Sequence, residues 1–169
     1  MTVRYRTAVP SDAERLAALF GECFRDTFGH LYDPKDLALF LDGHTAAHWR
    51  DQIDSDDFAV RLAEEADGVI GFIKLGPVKH PLEPTGKAVE LRQLYMLAPW
   101  QGSSAAKELM DWLVAEARRR GASELYLSVF TQNHRARRFY ARCGFEEIGP
   151  CVFMVGNQAD EDVIMRLAL

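Results

Sequence analysis

The chain has 169 residues, 48% of them hydrophobic and 27% charged, the balance of a single globular domain over residues 1–169 that buries roughly 70% of its unfolded surface. A formal net charge of −5 argues against bulk nucleic-acid binding, which needs clustered Lys and Arg to neutralise phosphates. Cys23, Cys143 and Cys151 include no close-spaced pair, so neither a disulfide framework nor a zinc knuckle is supported, and a reduced, cytoplasmic setting is expected.

The opening VRYRTA, residues 3–8, reads as a short strand, after which Pro10, Ser11 and Asp12 supply helix-start chemistry. In DAERLAALFGECFRDTF, Leu16, Leu19, Phe20 and Cys23 recur at helical spacing. Residues 33–54 predict a second helical region broken at Gly43 into two short helices, a candidate lid or acceptor wall. FAVRLAEE and VIGFIKLG flank an Ala66-Asp67-Gly68 turn and predict a β-hairpin. A longer strand over 87–97 leads through Pro99 into a helix whose face carries Ala105, Leu109, Met110, Leu113 and Ala117, and which ends in Arg118, Arg119, Arg120 and Gly121. LYLSVF, residues 125–130, is a buried-strand candidate, and 133–143 predict a helix stopped by Gly144. Two last strands, at 145–155 and 162–167, flank an acidic turn at Asp160 and Glu161. No run approaches 18 apolar residues and the N-terminus lacks an apolar signal core, so no membrane association is expected.

The order strand, Pro99, helix leaves a row of free backbone N–H groups at a helix start, which suits a phosphate without requiring Lys or Arg. Here that row falls on QGSSAA, residues 101–106. The neighbouring Lys107, Arg135, Arg137 and Arg138 could assist, although charges on a helix are usually a solvated face.

This stretch resembles the GNAT superfamily of N-acetyltransferases, whose pyrophosphate loop reads Q/R-x-x-G-x-G/A. The similarity continues through FTQNHRARRFYARCGF, which matches the family's N-x-x-A-x-x-F-Y-x-x-x-G-F element at Asn133, Ala136, Phe139, Tyr140, Gly144 and Phe145. FRDTFGHLYDPKDLALFL near one end and FMVGNQADEDVIM near the other are similar to bacterial polyamine acetyltransferases of the spermidine type. The resemblance implies a mixed α/β (α+β) fold: a central, mostly antiparallel sheet of about seven strands flanked by helices, with one strand pair splayed to admit acetyl-CoA. It implies that Tyr95, Met96, Leu97, Gln101, Gly102, Ser103, Ser104, Ala105, Ala106, Asn133, Ala136 and Tyr140 contact the cofactor. Ser104 stands where the family usually has a Gly, but a Ser at a helix start keeps a right-handed conformation and still presents its N–H.

Acetyl transfer to an amine needs a neutral nucleophile, stabilisation of an oxyanion and an acid for the departing thiolate. Carried over from the family, Tyr140 is the acid. Glu90, at the start of the strand that passes the thioester in the family, is the candidate base, against the alternative of a solvent-facing strand carboxylate. A polyamine would need carboxylates spaced along a groove. Glu22 and Asp26 are the candidates chosen, with Asp33, Asp36, Glu161 and Asp162 also available. His44 and His48, at i and i+4, lack a third ligand and an H-E-x-x-H pattern, so no metal is expected.

The expected activity is direct acetyl transfer from acetyl-CoA to a primary amine of a small molecule, a polyamine such as spermidine first. The protein is expected to be a monomer or homodimer. Peptide N-terminal acetylation is a second reading, disfavoured by Ser128 at the place where related enzymes carry a Glu. A noncatalytic acyl-CoA sensor is a third, motivated by Ser104 and the unassigned base.

Overall fold

One short strand is followed by three α-helices, and the remaining strands come after them, joined by turns, loops or single helices. The computed structural model describes residues 2–80 and 82–169. Strands β1 (Arg4–Thr7), β2 (Ala59–Glu65), β3 (Gly68–Gly76), β4 (Ala88–Met96), β5 (Glu124–Phe130), β6 (Glu146–Val155) and β7 (Gln158–Ala168) form one sheet in the order β1-β2-β3-β4-β5-β7-β6. Every neighbouring pair is antiparallel except β4 with β5. The expected mixed α/β domain is therefore observed, and residues 66–67 make the expected turn of the β2–β3 hairpin.

Five α-helices accompany the sheet among the described residues: α1 (Ala13–Phe28), α2 (Pro34–Asp42), α3 (Ala46–Asp54), α4 (Ala105–Arg119) and α5 (His134–Arg142). The predicted break at Gly43 is present, and each short helix that flanks it has its own cap. Asp33 accepts the Lys35 N–H at the start of α2, and Thr45 accepts the His48 N–H at the start of α3. Such caps satisfy N–H groups that a short helix cannot bond internally.

Strand alternation gives the sheet two distinct faces. Leu109, Met110 and Leu113 of α4 pack with Leu91, Leu125, Leu127, Val163 and Met165 on one face. Leu16, Leu19, Phe20 and Phe24 of α1 pack with Trp49 of α3, Leu62 and Phe72 on the other. On β7 the residues between Val163 and Met165, and those preceding Val163 by one and three, consequently point toward α1 and α2. These include Asp160 and Asp162, both buried.

The last turn is not where the sequence predicts it. The last turn lies at Gly156 and Asn157 rather than at Asp160 and Glu161, which are paired inside β7 with Phe153 and Val152. Gly156 has φ +57, the left-handed region that favours glycine, so the turn forms there. The hairpin is then fastened to α2, with the Asn157 N–H donating to Asp36 Oδ1 at 2.9 Å.

A Cβ built on Gly156 would lie 2.6 Å from the Asp36 Cα. Gly156→Ala is expected to lower stability by about 1–3 kcal/mol, from backbone strain and overpacking against α2. Thermal unfolding should show a fall of several degrees, since 1 kcal/mol shifts Tm by roughly 2–4 °C in a domain of this size.

Candidate active site

Strands β4 and β5 are hydrogen-bonded partners over only three positions, Ala88↔Glu124, Val89↔Leu125 and Glu90↔Tyr126. Both continue well beyond, β4 to Met96 and β5 to Phe130. The backbone of β4 past Glu90 thus faces a gap where the strand next in order has diverged. Arg92 adds to the distortion, because Lys74 pairs with Gln93 and Leu75 with Leu91, leaving Arg92 as an extra, bulged residue. A cavity of about 810 Å³ opens around the gap.

At one end of the cavity is the turn from β4 to α4. The Gln101 N–H is spent on Ala98 and the Ser103 N–H on Trp100, while the Ala105 N–H donates to Ser103 Oγ. The N–H groups of Gly102, Ser104, Ala106 and Lys107 have no acceptor among the described residues, and the Glu108 N–H begins the helical ladder by donating to the Ser104 carbonyl. Gly102 has φ +83, and a Cβ there would lie 3.1 Å from Arg135 Nη2. Gln101 bridges the turn to α5, accepting from Arg135 Nη1 at 3.0 Å and donating to the Met96 carbonyl at 3.3 Å. Free N–H groups beside an arginine, at the positive end of a helix, fit the phosphates of coenzyme A.

Tyr140 projects from α5 into the same cavity and is 8% exposed. Its hydroxyl has no hydrogen-bond partner among the described residues, and burial raises its pKa, so the proton stays on oxygen. Asn133 caps α5, its Oδ1 accepting the Ala136 N–H at 3.2 Å, and also lines the cavity. Both roles expected of Asn133 are thus compatible.

Of the remaining expected cofactor residues, Tyr95, Met96, Gln101, Gly102, Ser103 and Ala136 line the cavity with Ala106. Leu97, Ser104 and Ala105 do not. The Leu97 N–H is held by the Ile70 carbonyl, and the Ala105 side chain is packed in the core. Ser104 is exposed with φ −66 and ψ −15, the right-handed conformation expected of it.

The candidate base is not brought to the cavity. Glu90 lies where β4 and β5 are still paired, and it is 4% exposed, so it is not a solvent-facing carboxylate either. The Lys79 N–H donates to one of its oxygens at 2.9 Å, and His80 Nε2 lies 3.0 Å from the other. Glu22 and Asp26 are exposed on α1, opposite the apolar stripe that packs on the sheet. Neither reaches the cavity.

The carboxylates that do reach it are Asp160 and Asp162. Asp160 is fully occupied, with the Tyr32 hydroxyl donating to Oδ2 and Gln158 Nε2 to Oδ1 at 3.0 Å. Asp162 is 5% exposed, and its Oδ1 has no hydrogen-bond partner among the described residues. Burial, followed by the charge of Asp160, pushes its pKa up to about 6, against the opposing pull of His80 and the Ser128 hydroxyl. Asp162 was one of several acidic residues visible in the sequence, but Asp160 was missed. Their i, i+2 spacing on a strand was the available signal.

At the opposite end, Lys74 of β3 is 2% exposed and lines the cavity with Gln52, His44, His48 and Arg92. The signal in the sequence was a single Lys inside the apolar run VIGFIKLG. His44 Nδ1 lies 3.0 Å from the Phe40 carbonyl. Burial lowers the pKa of both His44 and His48, which are therefore neutral at pH 7. No group of three or more His, Cys, Asp or Glu placed to hold a metal occurs among the described residues. No helix there is long and apolar enough to cross a membrane.

Known proteins share the sequence pattern and the fold of this chain. Residues 13–145 match the Acetyltransferase (GNAT) family. An uncharacterised N-acetyltransferase of Mycobacterium tuberculosis is 30% identical over 156 residues, covering 92% of this chain and 96% of the relative. The aminoalkylphosphonate N-acetyltransferase of Salmonella typhimurium is 28% identical over 142 residues, 84% of each chain. Among solved structures, the PaiA N-acetyltransferase of Thermoplasma acidophilum in complex with coenzyme A superposes with a TM-score of 0.82 at 20% identity, covering 100% of both chains.

Asp162 couples stability to pH. Its pKa is near 6 in the folded chain against an ordinary 3.8, so the folded state holds the proton that the unfolded state has already lost. The resulting stability is fully present below about pH 4 and lost as pH rises through 6. Asp162→Asn carries no such penalty. The variant should gain on the order of 2–3 kcal/mol over the parent between pH 4 and pH 8, measured by denaturant unfolding at the two pH values.

Proposed function

The chain belongs to the Acetyltransferase (GNAT) family and is an acetyl-CoA-dependent N-acetyltransferase, and we propose that it acetylates the primary amine of a small molecule by direct attack. The observation that carries this reading is the pairing, in one cavity, of a buried tyrosine hydroxyl without a partner and a buried carboxylate with one free oxygen. Acetyl-CoA supplies an acyl thioester at the β4–β5 gap. Its phosphates would be held by the free N–H groups of residues 102, 104, 106 and 107 with Arg135.

Asp162 receives the ammonium form of the acceptor and takes its proton at Oδ1, freeing the nitrogen lone pair. A carboxylate with a pKa near 6 is a better match to that task at neutral pH than an ordinary one. As the nitrogen–carbon bond forms and the carbon–sulfur bond breaks, Tyr140 donates its proton to the departing sulfur, and the acylated nitrogen gives up its second proton to restore the Tyr140 hydroxyl. Tyr140 is a weak acid in water and a weaker one here, but a thiolate developing beside a positioned hydroxyl can take its proton as the carbon–sulfur bond breaks.

Several features support a small acceptor over a peptide. The β6–β7 hairpin is fastened to α2 through Asn157 and Asp36, and Phe24, Phe28, Tyr32, Phe40 and Phe153 line the space beneath. A polyamine such as spermidine fits the amine end, where Asp160 and Asp162 provide charge and the aromatic rings provide faces for ammonium and methylene groups. Short aminoalkyl compounds, the class in the name of the Salmonella relative, fit the same end.

The test is acetyl-CoA-dependent thiol release with spermidine, spermine, short aminoalkyl compounds and N-terminal peptides. Tyr140→Phe, which preserves the ring packing, should lower kcat by about 10²–10⁴-fold and leave acetyl-CoA affinity within a few-fold by calorimetry. Acetyl-CoA binding with no release for any amine, and no difference between parent and variant, would overturn the assignment in favour of a sensor.

A further inference from the structure

The acceptor chamber on the α1–α3 face of the sheet has two ends of opposite charge. Asp160 and Asp162 stand on β7, and Lys74 stands on β3, with β4, the gap and β5 between them. A buried lysine ordinarily sits against a carboxylate. Lys74 has none within salt-bridge reach among the described residues. Its ammonium donates to Gln52 Oε1 at 2.5 Å and lies 4.2 Å from the centre of the Trp49 ring.

A second cation stands beside it. Arg92 Cζ lies 5.5 Å from the centre of the Phe58 ring, and Lys74 Nζ lies 6.0 Å from the same centre. Arg92 donates to the Pro77 carbonyl at 2.9 Å, and its Nε is 3.9 Å from Glu90. That carboxylate is already engaged by the Lys79 N–H and His80. The β-bulge at Arg92 sets both cations on the chamber face, because it lets Arg92 and Gln93 follow each other without alternation.

A buried lysine and a half-buried arginine, with one distant carboxylate that other groups already engage, lack the charge that would normally accompany them. Burial pushes the Lys74 pKa down to about 7, and Arg92 adds to the effect. The groups facing Lys74 are His44, His48, Gln52 and Trp49 from the helical side and Arg92 from β4, with the exposed Asp51 near His48.

We propose that Lys74 and Arg92 form an anion subsite that receives a carboxylate, phosphonate or phosphate group of the acceptor, so that the physiological acceptor is an amine carrying its own negative charge. The inference rests on the acetyl-transfer reading of this cavity and deepens it. Neighbouring strands are about 5 Å apart, so from the gap to β3 is about one and a half spacings, on the order of 7 Å. An amine and an anion separated by a few bonds span that distance. A polyamine would match the Asp162 end but would bring a second cation toward Lys74 and Arg92.

The test compares propylamine, 3-aminopropylphosphonate, 4-aminobutyrate and 1,3-diaminopropane as acceptors for the parent, Lys74→Met and Arg92→Gln. The parent should prefer one or both anionic amines over propylamine by about 10–100-fold in kcat/KM, the size of a charge-assisted hydrogen bond. Comparison of the phosphonate with the carboxylate identifies which anion is recognised. Each substitution should collapse the preference toward unity, mainly through KM. Equal use of propylamine and the anionic amines by the parent, or a preference for the diamine, would overturn the subsite while leaving acetyl transfer intact.

Propylphosphonate, which has no amine, provides a second readout by calorimetry. It should bind the parent with proton uptake at pH 8, as the anion restores the charge of Lys74, and should bind Lys74→Met at least about tenfold more weakly. Such binding without turnover of any amine would uphold the subsite and overturn the acetyl-transfer reading. Failure of propylphosphonate and both anionic amines to bind would overturn the subsite. Arg92→Gln carries the comparison if Lys74→Met does not fold.

Discussion

Everything in this molecule depends on the divergence of β4 from β5 after Glu90 and Tyr126. A parallel pair inside a seven-stranded sheet would normally satisfy its backbone along its full length, and an unpaired buried N–H or C=O is costly. Here the pairing stops after three positions. The cost is tolerated because separate packing holds the two strands. The antiparallel neighbour β3 fixes β4, the antiparallel neighbour β7 fixes β5, and α4 covers both on one face. The gap is therefore a fixed feature of the sheet, and a ligand with amide and carbonyl groups can complete the edges that it exposes.

The gap also divides the work between the two faces. The turn over residues 101–104 and the start of α4 stand at one end, with α5 adding Arg135 and Tyr140. The opposite face, under α1, α2 and α3, carries the acidic and basic groups of the chamber. Residues adjacent in sequence can serve opposite faces, so a few strand positions shape both sides of the gap. Met96 packs in the core beside α4, whereas Tyr95 turns its ring to Phe20 and Phe72.

Helix and strand assignments were readable because hydrophobic period and turn residues agreed along most of the chain, down to the break at Gly43. The local geometry of the turn and of α5 was readable because it depends on neighbouring residues alone: a free N–H, a cap and a ring on a helix face. The acceptor side was not. Asp160, Asp162, Lys74 and Arg92 come from β7, β3 and β4, and no spacing in the sequence reports which strands become neighbours. Glu90 shows the reverse error, a residue in a suggestive place whose carboxylate is spent on Lys79 and His80. The last turn was misplaced because acidic residues are common in turns, while the left-handed conformation at Gly156 determined the actual site.

Stability is given up at both ends of the chamber. Asp162 and Lys74 are each buried without a full complement of partners, and each is displaced from its ordinary pKa toward the neutral form. They are too far apart in the sheet order to neutralise each other, since β4, the gap and β5 intervene. A molecule lying across the gap with an amine at one end and an anion at the other would relieve both penalties on binding. Binding energy gained at the Lys74 end would then hold the nitrogen over the gap, within the part of the cavity where the proposed mechanism has Asp162 and Tyr140 exchange protons with the reactants.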